Sequence, residues 1–160
     1  MHLEFRNTYG IIGMTTSNDY KPAPLFVSIG EDNHDSAAFR TFVQNAILDG
    51  FLHKYDILVM DNAAIHVHGE NRDLEDFLWD FPSSDGTPMH IYIKLLPTQS
   101  PEWNPIELVW AVLVKKLKSR YYATPFVRDM VPILAMEVLN EMDFHLMQKC
   151  MIHQGYYHKY

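Results

Sequence analysis

Two short runs of the sequence each present one carboxylate in a context that suits metal-dependent chemistry. Asp61 follows the apolar run 57–60, and Glu107 follows an Asn-Pro pair at 104–105. Carboxylates that converge from different elements can hold two Mg²⁺ or Mn²⁺ ions, which are hard cations that prefer oxygen ligands. In phosphoryl transfer one ion activates the attacking oxygen and the other stabilises the leaving oxygen. Asp61 and Glu107 therefore predict a two-metal site for phosphoryl transfer.

Each of these carboxylates also has a structural interpretation when it is taken alone. An Asp-Asn pair after a strand is a common turn, and this describes Asp61 and Asn62. Glu107 lies three residues after Asn104, which is the spacing of a capping box at the start of a helix. Neither residue by itself justifies a functional assignment, so the assignment depends on the elements around both.

The elements that position the two carboxylates follow from hydrophobic periodicity and from turn residues. The patterns predict strands at 9–15, 24–30, 56–60 and 91–96, and helices at 35–50, 70–81, 104–120 and 131–151. The continuous apolar run before Asp61 predicts a strand buried on both faces of a sheet. The order β-β-α-β-α-β-α-α predicts an α/β fold in which helices cover a mixed sheet. In open sheets of this kind, functional residues collect at the carboxyl ends of strands, where Asp61 lies.

The helix that carries Glu107 has the clearest start signal in the chain. Asn104 suits the N-cap and Pro105 suits the first helical position, where its missing N–H costs nothing. Four cations gather near its C-terminal end: Lys115, Lys116, Lys118 and Arg120. Clustered positive charges of this kind favour contacts with nucleic-acid phosphates. The alternative is a solvated helix end whose positive charges offset the helix dipole.

Taken together, the two runs resemble the DDE endonuclease domain of mariner-type and related insertion-sequence transposases. The first motif is D-N-x-x-x-H at residues 61–66. The second is L-P-x-x-S-P-x-x-N-P-I-E-x-x-W at residues 96–110. The similarity covers about residues 9–120, and the second motif is too long and too ordered to arise readily by chance.

The resemblance implies an RNase H-like fold with Asp61 as the second acidic residue of the site and Glu107 as the third. It implies Mg²⁺- or Mn²⁺-dependent cleavage and joining of DNA strands at transposon ends, in DNA transposition and integration. It also implies that Asn62, His66 and Asn104 line the same site, although His66 has an alternative interpretation as an anchor for the turn after the strand. We expect a homodimer and no membrane partner.

The sequence departs from the family pattern at two points. The 45 residues at 62–106 separate Asp61 from Glu107, which is more than the mariner group usually has, and a longer helix and the loop 82–88 absorb the excess. The family's first aspartate lies on a strand ahead of residues 9–15, where Glu4 is the sole acidic residue and its context does not match. We therefore expect a chain truncated at its N-terminus, lacking the first strand and the helix-turn-helix DNA-binding domain, with weak or no activity.

The loss of a central strand would expose backbone edges, so we expect marginal stability or self-association. The alternative to a catalytic domain is a non-catalytic, domesticated remnant that binds nucleic acid or a protein partner. The net charge of −7 is unusual for a DNA-binding protein and suggests that a basic docking module lies elsewhere.

The composition of the chain argues against several other classes of protein. The 160 residues are 48% hydrophobic and contain one cysteine, Cys150, so we expect a single folded domain over residues 1–160 without an intrachain disulfide. The nine histidines show no zinc-binding spacing. No apolar run is long enough to span a bilayer, and the first residues lack the features of a signal peptide. We expect a nuclear or cytoplasmic protein.

Overall fold

A computed structural model describes residues 9–30, 35–61 and 73–156, which form an α/β arrangement as predicted. The strands are β1 (Gly10–Thr15), β2 (Leu25–Gly30), β3 (Ile57–Met60) and β4 (Tyr92–Leu95). The helices are α1 (Ser36–Leu48), α2 (Leu74–Asp80), α3 (Pro105–Ala123), α4 (Val131–Asn140) and α5 (Phe144–His153). Short 3₁₀ turns at Pro101–Trp103 and Arg128–Met130 precede α3 and α4. Among the described helices, none combines the length and apolarity that a bilayer crossing requires.

The described strands form two sheets of two strands each. β1 and β2 make an antiparallel hairpin whose register runs from Gly10 opposite Gly30 to Thr15 opposite Leu25. β3 and β4 are parallel, and the crossover between them contains α2. The four predicted strands are confirmed within one residue at each end.

Two hydrophobic clusters cover opposite faces of β1. The first lies under α1 and α2 and includes Phe39, Phe42, Phe51, Leu74, Leu78, Ile91 and Ile93. The second joins α3 to α4 and α5 and includes Ile106, Val109, Leu113, Val138, Leu139 and Met147. Along β1, Ile12 and Met14 belong to the first cluster, whereas Ile11 packs against the second. This alternation is the period of two expected for a strand between two layers.

The first helix begins and ends where the sequence predicts. The side chain of Asp35 caps α1 by accepting a hydrogen bond from the Ala38 N–H at 2.9 Å. Gly50 follows the helix with a φ of +75°, a left-handed conformation that glycine adopts without strain.

The prediction that β3 is buried on both faces is wrong. Ile57 is 65% exposed, Leu58 and Val59 are half-buried, and Met60 alone is buried. The physical reason is that one face of the β3–β4 sheet packs in the first cluster, through Leu58 and Met60, whereas Ile57 shares the other face with Tyr92, which is 55% exposed.

The prediction of a single helix over residues 131–151 is also wrong, because two helices occupy this stretch. Asn140 ends α4, and the side chain of Asp143 then accepts a hydrogen bond from the Leu146 N–H at 2.9 Å. That bond caps a new helix, and the hydrophobic periodicity continues across the break. Met142 and Met147, which flank Asp143, are both buried in the second cluster.

Candidate active site

Asp61 follows the last residue of β3 at the carboxyl end of the parallel pair. The ladder continues to this point, because the Leu96 N–H donates to the Met60 carbonyl at 2.8 Å. Met60 is buried, and Asp61 itself is half-buried. The strand therefore fixes the backbone of Asp61 and presents its carboxylate at the edge of the sheet.

Glu107 is the third residue of α3 and does not complete a capping box. The side-chain oxygen of Asn104 accepts a hydrogen bond from the Ile106 N–H at 3.4 Å, so Asn104 caps the helix as predicted. In a capping box the Glu107 carboxylate would in turn accept the Asn104 N–H. In the structure the Asn104 N–H donates instead to the Pro101 carbonyl at 2.9 Å. The Glu107 carboxylate is therefore not engaged with the Asn104 N–H, and the capping-box interpretation is wrong.

Asp61 and Glu107 face the same cleft, whose volume is about 690 Å³. Glu107 is exposed as a whole residue, but partial desolvation of its carboxyl group raises its pKa, and the negative charge of Asp61 raises it further. The second effect requires the two carboxylates to lie close together. Two neighbouring carboxylates offer hard oxygen ligands and excess negative charge, which is the donor chemistry that Mg²⁺ and Mn²⁺ need. The residues present therefore fit part of a divalent-cation site.

Asp61 and Glu107 form a pair at one end of the cleft, whereas Asp56, which also lines it, is bonded to Lys21. In residues 9–30, 35–61 and 73–156, no group of three His, Cys, Asp or Glu side chains could hold a metal ion. A complete site of three carboxylates therefore needs a group from outside those ranges.

The walls of the cleft come from both sheets and from the helices that cover them. Consecutive residues of β1 and β3 line its two sides, and Ile106 and Trp110 of α3 contribute from one layer. Phe39, Phe51 and Leu52 contribute from the other layer. The cleft is thus apolar along its length, with its polar groups near the ends.

The structure places the other predicted site residues as follows. Asn104 is half-buried and lines the cleft with Glu107. Asn62 and His66 lie outside the described residues. Near the end of α3, Arg120 forms ion pairs with Glu137 (3.0 Å) and Glu141, and Lys116 lies 3.8 Å from Glu141. Lys115 and Lys118 are exposed on the same helix. The catalytic, metal-binding and nucleic-acid-binding roles of all these residues stay predictions.

Sequence reasoning missed a buried ion pair at the far end of the cleft. Lys21 follows β1, its side chain is 6% exposed, and it bonds to Asp56 just before β3. Asp56 also accepts the His53 N–H at 2.7 Å. Lys21 lies in a polar turn, where neither periodicity nor a motif marks it as buried. The pair ties the β1–β2 hairpin to β3.

Two aromatic contacts near Glu107 were also outside the reach of sequence patterns. The ring of Trp110 packs against Gly13 of β1. The Tyr156 hydroxyl donates to the Trp103 carbonyl at 2.8 Å, and burial raises the pKa of Tyr156. Tyr156 therefore packs back onto the turn before α3, while residues 157–160 lie outside the described part of the chain.

Comparison with known protein families agrees with this geometry. Residues 6–125 match the family of DDE superfamily endonucleases, and this range includes both Asp61 and Glu107. The chain belongs to this family. The DDE domain thus assigned is the endonuclease domain of transposases with an RNase H-like fold, whereas the mariner-type subgroup stays a prediction. Comparison with curated proteins and with solved structures gave no significant match.

Proposed function

We propose that this DDE domain cleaves DNA strands in a reaction that depends on Mg²⁺ or Mn²⁺, as part of DNA transposition. The observation that supports this most is the convergence of Asp61 and Glu107 on one cleft, where the charge of Asp61 raises the pKa of Glu107. Family membership supplies the reaction class. The substrate is a DNA phosphodiester, and transposon ends are the expected DNA partner.

The protein's part in this chemistry is to hold oxygen ligands in fixed positions. β3 fixes Asp61 at a strand end, and the Asn104 cap fixes the first turn of α3, from which Glu107 projects. Divalent cations held there would activate the attacking oxygen and stabilise the leaving oxygen. The apolar walls around Trp110 keep bulk water away from one side of the carboxylates and strengthen their electrostatic interactions.

The proposed activity is low, because the described part of the chain brings two carboxylates, Asp61 and Glu107, to the site, whereas the complete site needs three. Fewer ligands lower the affinity for the cations and leave their positions less defined. We expect little or no joining of strands by this chain alone, and slow cleavage at high concentrations of Mn²⁺.

The test is nicking of supercoiled plasmid DNA by the full chain with Mg²⁺ or Mn²⁺. The wild-type chain is compared with Asp61→Asn, Glu107→Gln and the control Glu102→Gln, which removes an exposed carboxylate from the turn just before α3. We expect slow, metal-dependent nicking that the first two substitutions abolish and the control retains. Nicking that survives both Asp61→Asn and Glu107→Gln would overturn the proposal.

A further inference from the structure

β2 pairs with β1 along one edge, and the hydrogen-bonding pattern shows which of its amides use that edge. The Thr16 N–H donates to the Pro24 carbonyl at 3.0 Å, which extends the antiparallel ladder past the ends of the two strands. In such a ladder, residues that bond to the partner strand alternate with residues whose N–H and C=O groups point away. Phe26 and Ser28 follow Pro24 at every second position, so their N–H groups donate to β1.

The backbone groups of Leu25, Val27 and Ile29 therefore point to the outer edge of β2. No strand within residues 9–30, 35–61 and 73–156 pairs with this edge. A row of N–H and C=O groups along an open edge is a template for a strand from another chain. Such a strand gains main-chain hydrogen bonds when it is added to the sheet.

The outer edge of β2 lacks the features that usually prevent pairing between chains. Proteins protect open edges with charged side chains, above all lysine, and with proline. Residues 23–30 contain no charged side chain, whereas β4 carries the exposed Lys94. Pro24 alternates in phase with Phe26 and Ser28, so its missing N–H falls on the β1 side and leaves the outer edge intact. Neither charge nor proline therefore blocks this edge.

An exposed apolar stripe on α4 lies beside the same edge. Met130 at the N-cap of α4, Ile133 and Met136 recur at every third residue and are 39%, 54% and 36% exposed. Residues three apart lie on the same side of a helix. Met136 lines a small cavity together with Leu25 and Val27, so the stripe borders β2. One partner can therefore cover the open edge and the stripe together.

We propose that β2 and α4 form the interface of a homodimer, in which a second copy of this chain adds its own β2 to the open edge. The two-fold axis passes beside Val27, which lies opposite Val27 of the second copy. Leu25 then lies opposite Ile29 of the second copy, and Ile29 opposite Leu25. Each opposed pair exchanges two N–H···O bonds, because these are the residues whose backbone groups face outward. The two hairpins join into one antiparallel sheet in the order β1-β2-β2-β1.

A second copy matches both features of this surface at once. In an antiparallel pair of identical strands the two-fold axis stands perpendicular to the sheet, so the α4 helices of both copies lie on the same face of the joined sheet. That face is the one on which Leu25, Val27 and Ile29 pack against the second cluster. Because Met136 and Val27 line the same small cavity, the stripes of the two copies meet near the axis. This is the self-complementarity that a two-fold interface requires.

The strand edge and the helix stripe are both needed to build a stable interface. A standard interface buries about 800 Å² on each partner, which is more than the edge of a six-residue strand offers. The exposed side chains of Met130, Ile133 and Met136 add apolar area beside that edge. These three residues follow residue 125, where the family match ends, so the stripe belongs to this chain's own C-terminal part and not to the matched domain.

Sedimentation equilibrium of the full chain over a range of concentrations tests whether the dimer forms and uses the stripe. We expect a dimer at high concentration. Ile133→Glu places two carboxylates near each other across the axis and should weaken the dimer by about tenfold or more. Ile133 is 54% exposed, so this change should leave the fold of each copy intact. The control Leu48→Glu makes a similar change at a site that is 65% exposed on α1, which packs in the first cluster, and should leave the dimer unchanged.

Amide hydrogen exchange by NMR tests whether β2 is the strand that pairs. A rise in protein concentration should slow the exchange of the Leu25, Val27 and Ile29 amides. The Phe26 and Ser28 amides, which bond to β1 within one copy, should exchange slowly at every concentration. This alternation along a single strand is the signature of pairing through the outer edge.

Three results would overturn the inference. The first is a monomer at every concentration up to the limit of solubility. The second is a dimer in which the outward amides of β2 still exchange fast, since another surface would then hold the copies together. The third is slow exchange of these amides at every concentration, since a group of the same chain would then already occupy the edge. None of these outcomes bears on the proposed function, because neither substituted residue lines the cleft that contains Asp61 and Glu107.

Discussion

Gly13 of β1 and Trp110 of α3 are packed so closely that no side chain fits between them. A Cβ atom at position 13 would lie 2.6 Å from Cη2 of Trp110 and 2.9 Å from its Cζ2. Trp110 lies one helical turn after Glu107, so this contact sets how closely the first turn of α3 approaches β1 and the cleft. The absence of a side chain at Gly13 thus helps to determine the position of a proposed metal ligand.

The first prediction concerns this contact. Gly13→Ala should lower the free energy of unfolding by about 1–3 kcal/mol, because the added methyl group forces the indole ring or α3 to move. Urea unfolding measures the change, and Ser28→Ala at an exposed position of β2 is the control. In a Trp110→Leu background the cost of Gly13→Ala should shrink. An equal cost in both backgrounds would show that the indole ring is not the cause.

The second prediction concerns the ion pair that ties the two sheets together. Lys21→Met should destabilise the fold by about 2–4 kcal/mol, since it leaves the partly buried Asp56 carboxylate without its cation. Lys21→Met combined with Asp56→Asn should cost less than the sum of the two single substitutions. A double-mutant cycle by urea unfolding measures this coupling. Strict additivity would mean that Lys21 and Asp56 do not stabilise the fold as a pair.

The third prediction concerns the charge of Asp61. Burial and the Asp61 carboxylate raise the pKa of Glu107, so Asp61→Asn should lower it, while burial keeps it above its ordinary value. An NMR titration of the Glu107 carboxyl in metal-free protein measures the shift. An unchanged pKa in Asp61→Asn would mean that the two carboxylates are not close.

The raised pKa of Glu107 also has a consequence for stability. The folded chain holds this proton more tightly than the unfolded chain does, so the contribution of Glu107 is most favourable at low pH. The contribution weakens as the pH rises from the unfolded pKa to the raised folded pKa. Glu107→Gln should flatten the pH dependence of the free energy of unfolding in that window.

The fourth prediction separates two roles for the cations of α3. Arg120→Ala should lower the free energy of unfolding by up to about 1 kcal/mol, because it removes the partly exposed pairs with Glu137 and Glu141. The double substitution of Lys115 and Lys118 by alanine should leave stability unchanged and weaken DNA binding in a fluorescence anisotropy assay at low salt. If the double substitution leaves the DNA affinity unchanged, this end of α3 is not part of the DNA interface.

The parts of the fold that the sequence predicted are those that local patterns determine. Short apolar runs and turn residues located the four strands that the structure describes, and Asn104 and Pro105 located the start of α3 together with the position of Glu107. The break at Asp143 was missed because the buried residues on both sides keep a helical spacing. The exposure of Ile57 was missed because an apolar run does not reveal which faces of its sheet are covered by other elements.

Long-range contacts at the site lay beyond sequence patterns for a different reason. Lys21 and Asp56 are 35 residues apart, and nothing near either one indicates its partner. The contact of Gly13 with Trp110 depends on how α3 crosses β1. The convergence of Asp61 and Glu107 was expected from the family motif, and the structure adds that the Asn104 N–H is taken by Pro101 and not by Glu107.

The most direct test of the proposed site is calorimetric titration of the full chain with Mn²⁺. We predict binding that both Asp61→Asn and Glu107→Gln abolish and that Glu102→Gln leaves unchanged, because the first two carboxylates line the cleft and the third is exposed outside it. Binding of equal strength in all four proteins would contradict a metal site at Asp61 and Glu107, and so would an absence of binding in the wild-type chain.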